Sequence, residues 1–450
     1  MSGPKAFRIV TRAEIIAICR RDLARLDAAI EGWTAAGRRN GTIEQTDLAK
    51  VTARRDELRR LLDADRFVEL QKQVAAEIAF LHADSDRRAE RAAEMAARSQ
   101  RNLRRSKTAA GVLLQRLQDL KVVVPPDIRN ELSGSTSSSE LLEAAMAKAL
   151  LLLPSQDAPV VATNRQRELA ARLGAGERRE TLQDWMSRQP QEEDPALARV
   201  DGLLGELRGL GIDPSPFGAR IAVLEAETPS RRPLIADSLL LDLAAALKDG
   251  RAQARLASEL RERRAELSVM KSTEAAALLA EIDKAIEAPT AIDRHDLVKR
   301  ANFLIEEEFK AMAAEERRRA VLEGLASLGY EVSEGMATAW VQNGQIVLRK
   351  VANPGYGVEL SGGSKSDLLQ VRAVGIGSSA ETRDVSRDRD METIWCGEFD
   401  RLKTLVAKAG GNVSIESARP IGQFPLKVVS DSVSSPEIEV IGRQHRSLPS

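Results

Sequence analysis

The chain has 450 residues, of which 30% are charged, and its 67 Lys and Arg balance 67 Asp and Glu to a net charge of +0. That balance excludes wholesale coating of nucleic acid and mimicry of a polyanion, so any electrostatic role must come from local patches. The chain is too long for one ordinary core, and 43% apolar residues with only 3% aromatics, carried mainly by Ala, Leu and Val, suit narrow helix seams.

The N-terminal segment MSGPKAFRIV has neither an apolar h-region nor a small-residue cleavage site, which argues against a secretory signal. The first helix is predicted to open at Thr11, where Thr11 and Glu14 have capping-box spacing and Ile15, Ile18, Leu23 and Leu26 follow at helical periods. It should end near Gly37. Thr42 and Gln45 repeat the cap signature before a second helix through Leu48, Val51, Leu58 and Leu61, and so short a turn predicts an antiparallel hairpin.

From Arg66 to about Val122 there is no proline and a single glycine, Gly111, which predicts one long helix. Its middle, Asp84 to Lys107, is almost entirely Arg, Glu, Ala, Ser and Gln and is expected to be a solvated arm or a narrow Ala-lined coiled coil. Pro125 and Pro126 stop the helix, Ser133 to Ser139 reads as a hinge, and Glu140 to Leu153 as a short helix. From Thr163 to Met312 helices alternate with Pro and Gly breaks. Arg251–Glu287 and Ala291–Ala326 are predicted to be long antiparallel partners turning at Pro289, with Leu260, Leu267 and Ile282 facing Leu297, Phe303 and Leu304.

After Gly329 the composition becomes β-rich. The runs 330–332, 338–341, 346–351, 357–360 and 368–374 read as strands, with Asn343-Gly344 as a hairpin turn between two of them. A helix through Trp395 and Phe399 is expected over Arg387 to Ala409, then a last strand at Val413 to Ile415, and the tail after Ser430 reads as disordered. The predicted fold class is mainly α, with long antiparallel helical hairpins or coiled coils and a small C-terminal α+β domain. The predicted organisation is an N-terminal hairpin and coiled-coil arm (1–124), a hinge with a short helix (125–162), a second helical region (163–312), a C-terminal α+β module (313–430) and a tail (431–450).

The residues carry no complete catalytic constellation. His82, His295 and His445 fall in separate regions, and neither Cys19 nor Cys396 has a thiol or imidazole at ligand spacing, so no metal, cofactor or catalytic residue is assigned. The Gly-rich stretch Gly355 to Ser366 departs from a phosphate loop because Ser364 separates Gly363 from Lys365, and it is expected to be an ordinary strand-to-strand loop. Helix, strands, helix, strand is also the order of a restriction-endonuclease core. Glu359 could stand for its first acid, but Gln370 and Arg372 occupy the places of its acid and lysine, so these are degenerate positions at most. Arg98, Arg101 and Arg105 share one helix face and are the candidate contact for an anion or nucleic acid.

The expected function is a non-enzymatic scaffold or adaptor of a bacterial-type multiprotein assembly, with helical arms for association and the C-terminal module for docking. The alternatives are a nucleic-acid-binding or DNA-processing subunit and a regulatory coiled-coil partner of an ATPase. Expected partners are proteins, an ATPase among the candidates, and further copies of the chain, with nucleic acid as the alternative. The expected location is the cytoplasm with no membrane contact, because the longest apolar stretch, 144–153, is far short of the roughly 20 residues of a spanning helix.

Overall fold

Helix dominates the computed structural model, which describes residues 4–133, 139–153, 165, 182, 194–228, 230–287, 293–363, 366–377 and 383–430. Among the described residues twelve α-helices accompany one small, chiefly antiparallel sheet, and no helix is long and apolar enough to cross a membrane. Internal packing divides the chain into two units, one of residues 1–28, 53–77 and 259–450, the other of residues 29–52 and 78–258.

In the first unit, helix α1 (Arg12–Arg39) begins where predicted, and Thr11 Oγ1 accepts from Glu14 N at 3.1 Å. The reciprocal half of the capping box is spent elsewhere: the buried Glu14 carboxylate takes Arg317 of α10 (Arg294–Ser327), Nη2 donating at 2.5 Å. Helices α2 (Gln45–Asp63) and α3 (Phe67–Asp119) are joined by Asp65 at a φ of 56°, with Arg66 N donating to Leu61 O at 2.9 Å. That is a left-handed helix end made without glycine, and α3 ends the same way at Lys121 (φ 53°), before the two prolines expected to stop it. The second cap signature fails, since α2 opens after Glu44 and Thr42 Oγ1 is buried without a hydrogen-bond partner among the described residues.

The predicted 251–287 helix is two helices. Helix α8 (Arg232–Ser268) stops and α9 (Thr273–Glu287) restarts, because Ser272 Oγ accepts from Ala275 N at 2.9 Å and supplies a new N-cap. Leu260, Leu267 and Ile282 pack with Leu297 as expected, but Phe303 is 69% exposed and Ile305 takes its place in the seam.

The sheet runs β2-β3-β4-β1-β5, with β6 pairing parallel to the far end of β4. Its strands are β1 (Lys5–Val10), β2 (Gln345–Arg349), β3 (Tyr356–Ser361), β4 (Leu368–Ile376), β5 (Asn412–Ala418) and β6 (Lys427–Val429). The first strand of the chain therefore lies inside the C-terminal sheet, bonded to β4 on one side and β5 on the other. Its alternation is legible afterwards: Lys5, Phe7 and Ile9 are buried while Arg8 and Val10 are exposed.

Two predicted strands are not strands. Tyr330–Val332 is irregular, and Thr338–Val341 lies in helix α11 (Met336–Asn343), bracketed by Gly335 (φ 90°) and Gly344 (φ 69°). Asn343-Gly344 is thus a helix C-terminus, where Gly344 supplies the positive φ, and not a hairpin turn. Helix α12 (Val385–Lys408), capped by Asp384, covers one face of the sheet. Trp395, Phe399 and Leu402 pack there against Phe7, Val358 and Leu360, and Val321 and Leu325 of α10 complete the core. The tail after Ser430 lies outside the described residues.

In the second unit the Ala-lined face of α3 finds a partner, helix α6 (Pro195–Gly209). A Cβ on Gly205 would meet Ala93 O at 2.5 Å and one on Gly209 would meet Ala89 O at 3.7 Å, so the two helices touch backbone to backbone. The distal end of α3 packs through Leu113 and Leu117 against α4 (Pro126–Leu132) and α5 (Ser139–Leu150), while α6, α7 (Gly218–Ala226) and α8 form a separate leucine cluster. Most of the Ser133–Ser139 hinge lies outside the described residues.

Candidate functional site

A group of polar aromatic and charged side chains lies between α12 and the β2–β3 end of the sheet. Tyr330 hydroxyl donates to Glu398 at 2.5 Å, Lys350 Nζ donates to the same carboxylate at 2.5 Å, and Lys350 sits 5.3 Å above the Tyr330 ring. Burial, then the Glu398 carboxylate, push the Tyr330 phenol far above its ordinary range, which fixes it as a donor. Nearly three turns earlier on α12, Asp388 accepts from Tyr356 hydroxyl at 2.8 Å and from Arg383, whose guanidinium lies 4.7 Å over the Tyr356 ring. A Cβ on Gly375 would collide with that guanidinium, so glycine there makes room for the stacked arginine. The cavity among these residues is about 10 Å³, room for about one water. Each ionised group already has a partner inside the cluster, and its chemistry is that of a clamp holding α12 to the sheet.

Glu359 and Arg372 are cross-strand neighbours on β3 and β4. Glu359 is 2% exposed, and it accepts from Arg372 Nε and, at 2.7 Å, from Lys427 Nζ. Burial opposes its charge, but the two cations outweigh that and hold the carboxyl below the usual glutamate range. Gln370 lies one pleat along, opposite Ser361 and Ala6, with its side chain exposed. The strand register thus brings the three positions to one face, where Arg372 and Lys427 stand beside the acid and satisfy it. Glu359 lowers its pKa on folding, so its stabilisation is present above the unfolded glutamate value of about 4.3 and is lost as pH falls through the folded value. Glu359→Gln is expected to cost about 1–2 kcal/mol at pH 7, a gap that closes below about pH 4 in denaturation curves taken across pH.

Arg98 and Arg105 are exposed on α3, whereas Arg101 is half-buried and turned toward Asp201, on whose carboxyl it exerts a lowering influence. The neighbouring Arg104 does most of the structural work, donating to Asp201 from Nη1 at 2.6 Å and to Glu225 from Nε at 2.6 Å. Arg88 likewise turns inward, to Asp84 and Asp47. Among the described residues no three His, Cys, Asp or Glu side chains gather as a metal site. Gly355–Ser361 is strand and its approach, and Ser366 Oγ closes the following loop onto Leu368, so the Gly-rich stretch connects strands as expected; residues 364–365 lie outside the described residues.

A second feature escaped sequence reasoning. Between α6 and α8 an open groove of about 630 Å³ is floored by Gly202, Leu203, Leu240 and Ala244. Leu241 stands on its lip, 72% exposed. Arg199 and Asp237 flank it from opposite helices, both exposed and neither in an ion pair among the described residues. No periodicity marks it, because Leu241 belongs to the same leucine-rich run, Leu239 to Leu243, that supplies the buried Leu239 and Leu243. Compared with known proteins, the chain matches no family model, no curated protein and no solved structure.

Proposed function

We propose that the chain is a self-associating helical scaffold, its long helices serving as arms and its C-terminal α/β module docking a protein partner. One observation carries this reading: the α6–α8 groove presents exposed leucine beside a glycine floor, flanked by one cation and one anion that have no ion-pair partner among the described residues. The occupant is a second copy. A two-fold contact places Arg199 of one copy against the partner copy's Asp237 and repeats the pair in reverse, while each Leu241 enters the other's groove over Gly202.

Light scattering on the eluting full-length chain, across a concentration series, is expected to give twice the single-chain mass of 49.1 kDa. Arg199→Glu and Asp237→Arg each put like charges together and are expected to weaken the dimer about tenfold or more. An equimolar mixture of the two variants, which restores both pairs, is expected to recover it. A single-chain mass at every concentration removes the self-association reading, and a dimer indifferent to both reversals removes this face as its site.

A further inference from the structure

We propose that Lys5 and Cys396 form a covalent Nζ–O–Sγ bridge under oxidising conditions, locking β1 to α12. This modification site is independent of the scaffold reading. Lys5 occupies an inward position of β1, in line with Phe7 and Ile9, where the alternation calls for an apolar side chain. It is 2% exposed, and its Nζ meets one polar atom among the described residues, Cys396 Sγ at 3.3 Å. Below it lies the Phe399 ring, with its centroid 4.4 Å away. A buried lysine is ordinarily matched by a carboxylate, and this one is matched by a thiol and a ring. Leucine or methionine would fill the space at lower desolvation cost, so packing alone does not account for a lysine here.

The two thiols of the chain differ in access. Cys19 is fully buried, and its thiol is pushed up to about 11, first by burial and then by Asp22. Cys396 is partly exposed and not in a disulfide. Oxidation by dioxygen or peroxide therefore falls on Cys396, and the side chain waiting beside its sulfur is an amine.

The balance with dioxygen is simple. One Nζ–H and the Sγ–H bond break, and Nζ–O and O–Sγ bonds form. The second oxygen atom leaves as water with the two hydrogens, nitrogen and sulfur each giving up two electrons. Two equivalents of a dithiol return the four electrons and restore amine, thiol and water. The bridge joins residues 391 apart in sequence and holds the N-terminal strand in the middle of a sheet otherwise made of C-terminal residues.

The test uses the full-length protein, treated with hydrogen peroxide in air or with dithiothreitol, then digested with trypsin and analysed by mass spectrometry. The expected product is a linked peptide pair containing Lys5 and Cys396, one oxygen heavier and two hydrogens lighter than the sum of its parts. It disappears on dithiothreitol treatment, and it is absent from Cys396→Ser and from Lys5→Met. Cys396→Ser changes one atom in a partly exposed side chain and guards against loss of the fold in the lysine variant. Recovery of Cys396 after peroxide as sulfenic acid, sulfinic acid or alkylatable thiol, with Lys5 unmodified, overturns the proposal.

Discussion

Replacing Asp201 by alanine is expected to destabilise the 29–52/78–258 unit by about 3 kcal/mol. The Asp201 side chain is fully buried and accepts from two guanidinium nitrogens of Arg104, itself one-fifth exposed. Burial pushes the Asp201 carboxyl above its usual range while Arg104 pulls the other way, the mark of a pair whose desolvation nearly offsets its attraction. Removing one partner loses the attraction and leaves a cation in the interior, with the more exposed Glu225 as its remaining carboxylate. Removing both is different. Asp201→Val with Arg104→Leu is expected to recover most of the loss, because apolar side chains that keep roughly the volume of the pair carry no desolvation penalty. Guanidinium denaturation of the two variants, with hydrogen exchange along α6 to localise the effect, checks the pair. If the double variant is as unstable as the single, the accounting is wrong.

Two glycines three residues apart on α6 are expected to respond to alanine with opposite signs. A Cβ on Gly205 meets the Ala93 carbonyl oxygen at 2.5 Å and its carbon at 3.1 Å, and backbone cannot rotate away as a side chain would. Gly205→Ala should therefore force α3 and α6 apart at a cost of about 1–3 kcal/mol. Gly202 has nothing within 4 Å of the same position, so Gly202→Ala should gain up to about 1 kcal/mol in helix propensity. Thermal denaturation of the two variants side by side decides it, and equal shifts would remove the close crossing. The contrast also separates roles: Gly205 is there for the crossing, and Gly202 is the floor of the groove.

Much of the helical framework was legible. The α1 start was written in Thr11 and Glu14, the uninterrupted α3 in the lack of proline, and the apolar face of α12 in Trp395, Phe399 and Leu402, because each is a local signal of periodicity or capping. What failed was also local in cause. Asp65 and Lys121 end helices with a left-handed residue that composition does not advertise, and Ser272 caps a helix within what read as continuous leucine periodicity. Asn343-Gly344 tolerates positive φ at a helix end as readily as in a hairpin, and the dipeptide alone does not choose. The candidate-site residues were partly legible: Glu359 and Arg372 were singled out, but that they neutralise each other follows from strand register. Arg104 and Arg105 are adjacent on α3, yet Asp201 on another helix turns Arg104 inward while Arg105 stays exposed.

The sequence by itself determined most of the helical segments, the apolar faces of α1 and α12, and the strands near 346–351, 357–360 and 368–374, since these depend on neighbours within a turn or a pleat. Only the tertiary structure decided that residues 5–10 complete a sheet formed by residues beyond 344, that an alanine face meets a glycine face, and that Lys5 stands against Cys396. Those pairings join residues tens to hundreds of positions apart, and no local periodicity records which distant partner will satisfy a buried face, charge or strand edge.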